Sequence, residues 1–213
     1  APDTVTTSRP DIPNLAGGPD MQSFAPHDAE QQRTAASSGD DTINAGGGDD
    51  WVDGGGGADA LDGGEGDDTL SYESSRGGVT VDLVNSVFVG GSAAGDTVTG
   101  FEHIIGSNFD DIIVNDGNLT SMTGLFGDDA LLGAALDETI DAGAGDDYVL
   151  GGAGADTLIG GLGIDTLGYS TSDAGVSIDL SNSTASGGHA EGDTISSFEN
   201  IIGSGYDDFL FGN

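Results

Sequence analysis

Residues 54–71 read GGGGADALD followed by GGEGDDTLS, two consecutive copies of one nine-residue pattern. Written G-G-x-G-x-D-x-U-x, the pattern places an aspartate at position 6 and a large apolar residue, U, at position 8. A short, fixed sequence period is typical of solenoids, in which each repeat is a structural unit stacked on its neighbours. The extent of this frame therefore decides the fold.

The frame extends over most of the 213 residues. Four repeats span residues 36–71, seven span 106–168, and a last copy within 203–213 carries Asp208 and Leu210. The aspartates at position 6 are Asp41, Asp50, Asp59, Asp68, Asp111, Asp129, Asp147, Asp156, Asp165 and Asp208. Two repeats are degenerate: Thr120 replaces the aspartate in one, and Glu138 with Leu136 departs from the pattern in another.

The two interruptions of the frame are themselves a repeat. Residues 72–105 recur as residues 169–202 at a constant offset of 97, from Tyr72 matching Tyr169 to Ile105 matching Ile202. Within each, apolar residues alternate with period two around Val81, which predicts a strand with one buried face. We expect both segments to be larger coils of one continuous solenoid and not linkers between domains.

Composition supports an ordered repeat. The chain has 40 Gly and 38 Asp plus Glu against 3 Lys plus Arg, and its formal charge is −35. High charge favours disorder, and a uniformly acidic surface is typical of salt adaptation. Neither alternative explains why an apolar residue follows the aspartate two positions later in repeat after repeat. This charge disfavours nucleic acid as a partner.

A simple energy comparison links the repeat to a cation. Each repeat offers a six-residue turn and a three-residue strand with one inward apolar side chain, worth roughly 1.5–3 kcal/mol when buried. Ordering each of its nine backbone units costs about 1–2 kcal/mol, so the apolar core is thin. Coils stack about 4.8 Å apart, and carboxylates aligned at ~5 Å repel by about 3 kcal/mol at an effective dielectric of ~20. Calcium between the turns would convert this repulsion into coordination, so that folding and binding become one event.

Residues 36–213 resemble the RTX β-roll of bacterial proteins exported by type I secretion. The resemblance implies an all-β fold, a right-handed parallel β-roll (β-solenoid), with several Ca²⁺ ions held by position-6 aspartates and main-chain carbonyls. It places each ion between turns eighteen residues apart. The implied pairs are Asp41 with Asp59, Asp50 with Asp68, Asp111 with Asp129, Asp129 with Asp147, Glu138 with Asp156, and Asp147 with Asp165.

The first 35 residues form a separate region. They hold all five prolines, Pro2, Pro10, Pro13, Pro19 and Pro26, and lack the repeat frame. Prolines at this spacing favour extended or polyproline backbone over helix. We expect this segment to lie along the roll or against another subunit.

No constellation in the sequence predicts catalysis, a small-molecule substrate or a membrane span. His27, His103 and His189 do not occupy equivalent repeat positions, and the carboxylates follow the metal-binding frame. Two functions stay open: a calcium-dependent extracellular structural protein, and the calcium module of a larger secreted enzyme, toxin or adhesin. Residue 213 lies two residues into what would be another repeat, and from this we predict end-to-end stacking of subunits into a filament or surface layer. A solenoid lyase or epimerase is disfavoured, because such a site needs cationic or histidine partners.

Overall fold

The structure, a computed structural model, describes residues 33–36 and 38–212, together with the backbone of Met21–Ser23. The five prolines of the N-terminal segment lie outside the described residues, so the prediction about that segment stays a prediction. At its end, the Arg33 guanidinium stacks on the outward-facing Trp51, 3.8 Å from the ring centroid.

The described residues form short β-strands connected by turns. The strands are β1 Met21–Ser23, β2 Arg33–Ala35, β3 Thr42–Asn44, β4 Trp51–Asp53, β5 Ala60–Asp62, β6 Thr69–Ser71, β7 Thr80–Asp82, β8 Val87–Val89, β9 Thr97–Thr99, β10 His103–Ile105, β11 Ile112–Val114, β12 Ser121–Thr123, β13 Ala130–Leu132, β14 Thr139–Ala144, β15 Tyr148–Leu150, β16 Thr157–Leu162, β17 Thr166–Gly168, β18 Ser177–Asp179, β19 Thr184–Ser186, β20 Thr194–Ser196, β21 Asn200–Ile202 and β22 Phe209–Phe211. Three single 3₁₀ turns, Gly91–Ala93, Leu180–Asn182 and Gly188–Ala190, are the helical segments among these residues. No helix in the described part of the chain could cross a membrane.

The strands form four sheets, which we number in chain order. Sheet I has the strand order β1-β3-β5-β9, sheet II β2-β4-β6-β10-β12-β14-β16-β20, sheet III β21-β17-β15-β13-β11-β7-β8, and sheet IV β19-β18-β22. Within the repeat blocks, neighbouring strands are parallel and pair at an offset of eighteen residues, as Leu131 does with Val149. Consecutive strands of the chain lie in opposed sheets, so two repeats make one coil. This is the all-β, parallel β-roll that the sequence predicts.

The core is a ladder of position-8 side chains. In sheet II, Leu70, Ile104 and Met122 pair in register and are all but inaccessible to solvent. Facing them in sheet III, Ile113 and Leu131 are equally buried. Most of the three-residue strands thus bury their middle residue and direct the two flanking residues outward, as expected for a half-buried strand.

The first interruption reverses the order of two strands. After β6 the chain crosses to the opposite face, forms the antiparallel hairpin β7–β8, and returns to pair β9 with β5. β10 then pairs with β6, while β7 pairs with β11. Sheet II therefore runs across the interruption without a break, whereas sheet I ends at β9 and sheet III begins at β8.

The second interruption repeats this arrangement on the opposite face. Here β20 pairs with β16 and β21 with β17, so sheet III is continuous while sheet II ends and sheet IV begins. The change of face arises because the offset of 97 carries β5 of sheet I onto β16 of sheet II. Each face of the roll is thus interrupted once.

Glycine at position 4 permits the close stacking of the turns. Gly145 has φ +153°, and a Cβ atom on it would collide with the carbonyl oxygen of Gly127 in the preceding coil. Only glycine adopts this conformation at no steric cost. The turns consequently approach one another through main-chain atoms.

Candidate metal centre

A buried acidic residue precedes most strands of the roll, at position 6 of each repeat. The side chain enters the interior beside the position-8 ladder because positions 6 and 8 share one face of an extended chain. Nine of the ten aspartates predicted to bind metal are at most 3% exposed, namely Asp41, Asp50, Asp59, Asp68, Asp111, Asp129, Asp147, Asp156 and Asp165. The tenth, Asp208, is partly exposed in the last described coil.

These carboxylates are stacked in columns along the edges of the roll. In each step of a column, the backbone N–H of one position-6 residue donates to Oδ1 of the position-6 aspartate one coil later. All six predicted pairs are joined in this way, at 2.8 to 3.0 Å: 41–59, 50–68, 111–129, 129–147, 138–156 and 147–165. The structure therefore brings together the pairs that the eighteen-residue spacing predicts.

Position 5 supplies a second ladder, which runs in the opposite direction. Oδ1 of Asp128 accepts the N–H of Asp146 at 2.9 Å, and Oδ1 of Asp146 accepts the N–H of Ile164 at the same distance. Neighbouring turns are thus joined by a reciprocal pair of carboxylate bonds. The frequent Asp-Asp dipeptides signal this ladder in the sequence, but position 5 was not among the predicted site residues.

The second oxygen of seven buried carboxylates has no hydrogen-bond donor. This holds in the described residues for Oδ2 of Asp59, Asp68, Asp129, Asp147, Asp156 and Asp165 and for Oε2 of Glu138. Leaving one buried acceptor unsatisfied costs about 1–3 kcal/mol, and more when it is charged. A regular series of such oxygens along two edges has the charge and the alignment to hold a cation between successive turns.

Burial also changes the acidity of these groups. Desolvation raises the pKa of Asp129 to about 8 and that of Asp59 to about 7, partly offset by the hydrogen bonds they accept. The same cause raises the pKa of Asp68 and of Asp147 to about 6, and neighbouring aspartates add to it. In the absence of a cation, the roll is therefore most compatible with protonated carboxyl groups.

Two segments, residues 36–70 and 132–167, match the family model of the RTX calcium-binding nonapeptide repeat, which comprises four copies of the repeat. These segments are RTX repeats. No curated protein matches the chain. The position-6 carboxylates within these two segments therefore belong to repeats of a calcium-binding family.

Two of the columns end on hydroxyl groups. The Tyr72 hydroxyl donates to Oδ2 of Asp96 at 3.1 Å, and in the second half Tyr169 donates to Asp193 at 2.7 Å. These carboxylates stand at the ends of columns, since the N–H groups of Asp59 and Asp156 donate to their Oδ1 atoms. The protein supplies its own donor where a column stops, in contrast to the donor-free oxygens inside it.

Asp111 and Asp208 have a different set of partners from the other predicted ligands. The backbone N–H and hydroxyl of Ser107 donate to the two carboxylate oxygens of Asp111, and Ser204 binds Asp208 in the same manner. These bonds lower the pKa of Asp208. Both residues follow an interruption, in repeats where serine replaces the second glycine.

Four further acidic residues belong to the columns and were missed as site residues. Oε2 of Glu102 accepts the N–H of Asp68 at 2.8 Å, and Oε2 of Glu199 accepts that of Asp165 at 2.9 Å. The other two are the column-ending carboxylates Asp96 and Asp193. Each of the four stands two residues before an apolar residue, which is the spacing that could have identified them.

In the degenerate repeat at 115–123, the side-chain amide of Asn115, and not a position-6 carboxylate, contacts the next carboxylate of the column, Glu138. The Asn115 side chain is buried, and its Nδ2 donates to Oε1 of Glu138 at 3.0 Å and to the Leu119 carbonyl. The Asn115 Oδ1 accepts three backbone N–H groups of its own turn, those of 117, 118 and 119. Thr120 therefore contributes no carboxylate to this column.

The donor set of the turns suits a hard cation with oxygen ligands. Among the described residues, no three His, Asp or Glu side chains gather around one point, so carboxylates alone do not complete a metal shell. The turns supply main-chain carbonyls beside the carboxylates, as the approach of the Gly127 carbonyl to Gly145 illustrates. Carboxylate and carbonyl oxygens are the preferred ligands of Ca²⁺.

Proposed function

We propose that this chain is an extracellular structural protein whose β-roll is assembled by calcium. The observation that carries the proposal is the series of buried carboxylate oxygens without donors, aligned between successive turns of RTX repeats. Calcium supplies the positive charge and the oxygen coordination that these turns require. The roll itself is then the functional product, a stiff rod built from short coils.

The proposed ligands are the ten position-6 aspartates together with the turn carbonyls. The strongest sites lie where a donor-free oxygen stands inside a column, as at Asp59, Asp129 and Asp147. Asp111 and Asp208 form the weakest sites, because calcium there would share oxygens that already accept N–H and O–H donors. Glu138 adds a further carboxylate within the repeats. Glu102, Glu199, Asp96 and Asp193 extend the set of proposed ligands into the interruptions.

Calcium binding and folding are coupled in this proposal. Each coil buries few apolar side chains, and adjacent ionised carboxylates at ~5 Å repel by about 3 kcal/mol at an effective dielectric of ~20. Without calcium these groups must be protonated or the coils must separate. We expect a midpoint in the ~10⁻⁴ to 10⁻³ M range typical of extracellular modules.

We further propose that subunits associate end to end. Leu210 in β22 is 42% exposed, whereas its counterpart Ile113 is fully covered because β13 pairs with β11. Phe209 and Phe211 are also exposed, and β22 pairs on one edge with β18. A coil from a second molecule would cover this surface as β13 covers β11, and repetition of the contact would give a filament or surface layer.

Electron microscopy of the purified chain with calcium and then with chelator tests the assembly. Filaments that form with calcium, dissolve with chelator and are abolished by Leu210→Glu support the proposal. Monodisperse particles under both conditions contradict it. Glutamate at the outward-facing Thr139 is a control that adds the same charge to the side of the roll.

The alternative is that the roll is the calcium module of a larger secreted enzyme, toxin or adhesin. The observation in its favour is the same exposed Leu210, which a further coil of the same polypeptide would cover equally well. In that case the isolated chain stays monomeric with calcium, and extending it by one synthetic repeat raises its thermal stability. Both functions are non-catalytic and place the chain outside a bacterial cell or on its surface, where calcium is abundant.

A further inference from the structure

The two broad faces of the roll differ in chemistry. Sheet III presents fourteen outward side-chain positions along its seven strands, two for each strand. They are Val87 and Val89, Thr80 and Asp82, Ile112 and Val114, Ala130 and Leu132, Tyr148 and Leu150, Thr166 and Gly168, and Asn200 and Ile202. Asp82 is the one charged residue in this set, although the chain carries a formal charge of −35.

The opposite face is mainly polar. Outward positions of sheet II carry a series of hydroxyl side chains, Thr69, Ser71, Ser121, Thr123, Thr139, Thr157, Thr194 and Ser196. The same face holds Asp53, Asp141, Arg33 and His103, and its apolar members are Ala35, Trp51, Ile105 and Ile159. Sheet III therefore presents the more apolar of these two faces.

The strands that carry the apolar face pair without a break. Ala130 pairs with Tyr148, and Leu132 pairs with Leu150, so the side chains form ridges along the roll axis. A Cβ atom on Gly168 would lie 2.8 Å from Cζ of Tyr148, which places the tyrosine ring directly across the next strand. Leu150, which pairs with Leu132, is only 6% exposed.

We propose that the outer face of sheet III is a lateral interface that binds the same face of a second copy of this chain. The acidic edges of the roll, where the position-5 carboxylates lie, would repel each other in a pair of copies, and sheet II offers mainly hydroxyl groups. On the face of sheet III the single carboxylate, Asp82, is already bound through both oxygens by Asn85, at 3.0 and 2.7 Å. Two copies can meet here without burying a carboxylate that lacks hydrogen-bond donors, and stacked sheets pack face to face at a separation of about 10 Å.

The dimensions of the face set the strength of this contact. Seven strands about 4.8 Å apart and three residues of ~3.3 Å give a footprint of roughly 300 Å². Stable complexes bury around 800 Å² per partner, so the lateral dimer is a weak and concentration-dependent one. Position-5 aspartates border the face at Asp110, Asp128 and Asp146, and their repulsion makes the dimer stronger as salt rises.

Sedimentation velocity of the full chain in excess calcium, over a range of protein and salt concentrations, tests this interface. The proposal predicts a reversible dimer that strengthens with salt. Ile112→Glu, at a site 45% exposed, is predicted to weaken it roughly a hundredfold, because two glutamates would be buried against apolar surface. Thr139→Glu on sheet II adds the same charge at an exposed strand position and leaves the dimer unchanged.

The outcomes separate lateral pairing from end-to-end assembly and from other occupants. Leu210→Glu removes end-to-end contacts and leaves the lateral dimer, which keeps the two proposals independent. Equal dimerisation of Ile112→Glu and Thr139→Glu would overturn the lateral interface. A chain that stays monomeric at every protein concentration would also overturn it. The same holds if the monomeric chain binds vesicles of neutral phosphatidylcholine, because the apolar face would then contact lipid and not a second copy. Far-UV circular dichroism in calcium confirms that each variant retains the β fold.

Discussion

Asp147→Asn is the sharpest perturbation of the carboxylate columns, because it removes one charge and changes no heavy-atom volume. Oδ1 of Asp147 accepts the N–H of Asp129 at 2.8 Å, and an asparagine oxygen can accept the same bond. Its Oδ2 is buried without a donor, and Asp165 stands one coil further along. The substitution therefore isolates the electrostatic role of one column member.

The expected effects have opposite signs with and without calcium. Each site saturated at a hundredfold excess over its Kd contributes about 2.7 kcal/mol to stability. Asp147 borders two gaps between turns, so its neutralisation costs about 3–5 kcal/mol in excess calcium. In chelator it removes repulsion from two neighbours, each at most about 3 kcal/mol at an effective dielectric of ~20, and the calcium-free fold gains stability.

Calcium titrations followed by far-UV circular dichroism, with thermal unfolding in excess calcium, measure both effects. Asp147→Asn should raise the calcium midpoint and lower Tm. Asp173→Asn is the matched control, since Asp173 is exposed and lies outside the columns. If both variants have the same midpoint and the same Tm, the columns do not bind calcium and the reasoning fails.

Three further predictions test the close turns, the column ends and the protonation of the columns. Gly145→Ala should lower the free energy of unfolding by about 3 kcal/mol or more, because Gly145 has a positive φ and its added Cβ would meet the Gly127 carbonyl. Gly205→Ala is the control, since Gly205 has open space around it, and should change stability by less than about 0.5 kcal/mol. Equal effects of the two substitutions in urea denaturation would contradict the close stacking of the turns. Tyr169→Phe should destabilise the roll by about 1–3 kcal/mol, since Asp193 loses the donor to Oδ2, and an unchanged Tm would remove the hydroxyl from its role at the column end. The pKa of Asp129 is raised to about 8, so protonation of the folded carboxyl group stabilises the calcium-free fold below the unfolded pKa near 4, and this stabilisation is lost as pH rises to about 8. Circular dichroism in chelator should therefore show more β structure at pH 5 than at pH 8. The opposite trend would contradict the protonation of the columns.

Much of the roll follows from the nine-residue frame. The RTX resemblance, carried onto Asp129, Asp147 and Asp165, implies both the eighteen-residue coil and the carboxylate pairs. Leu131, Val149 and Leu167 pair in the same register. The offset of 97 likewise predicts that the two interruptions share one structure. Local periodicity determined these features, since each contact lies between equivalent positions of adjacent coils.

The strand order inside the interruptions could not be predicted in this way. β9 stacks on β5, and β7, which precedes it in the chain, stacks on β11; alternating apolar residues identify both strands but do not specify their neighbours. The role of Glu102 was missed for a related reason. Only three residues separate β9 from β10, and the frame, which assumes a six-residue turn, does not place Glu102 at position 6.

The direction of the position-5 ladder could not be predicted from the sequence either. Asp-Asp dipeptides show that two carboxylates leave each turn, but not that Asp128 binds the following coil while Asp129 binds the preceding one. The apolar surface of sheet III was hidden for a different reason. Its members, such as Ile112 and Leu132, come from alternate repeats, so they are interspersed in sequence with the hydroxyl residues of sheet II.

A calcium titration at neutral pH, with bound calcium and far-UV circular dichroism recorded on the same sample, tests the coupling of calcium binding to folding most directly. We expect little β structure in chelator, and then a β signal that rises in step with the number of ions bound, to several per chain. A spectrum that is fully β-rich in chelator and unchanged by calcium would contradict it.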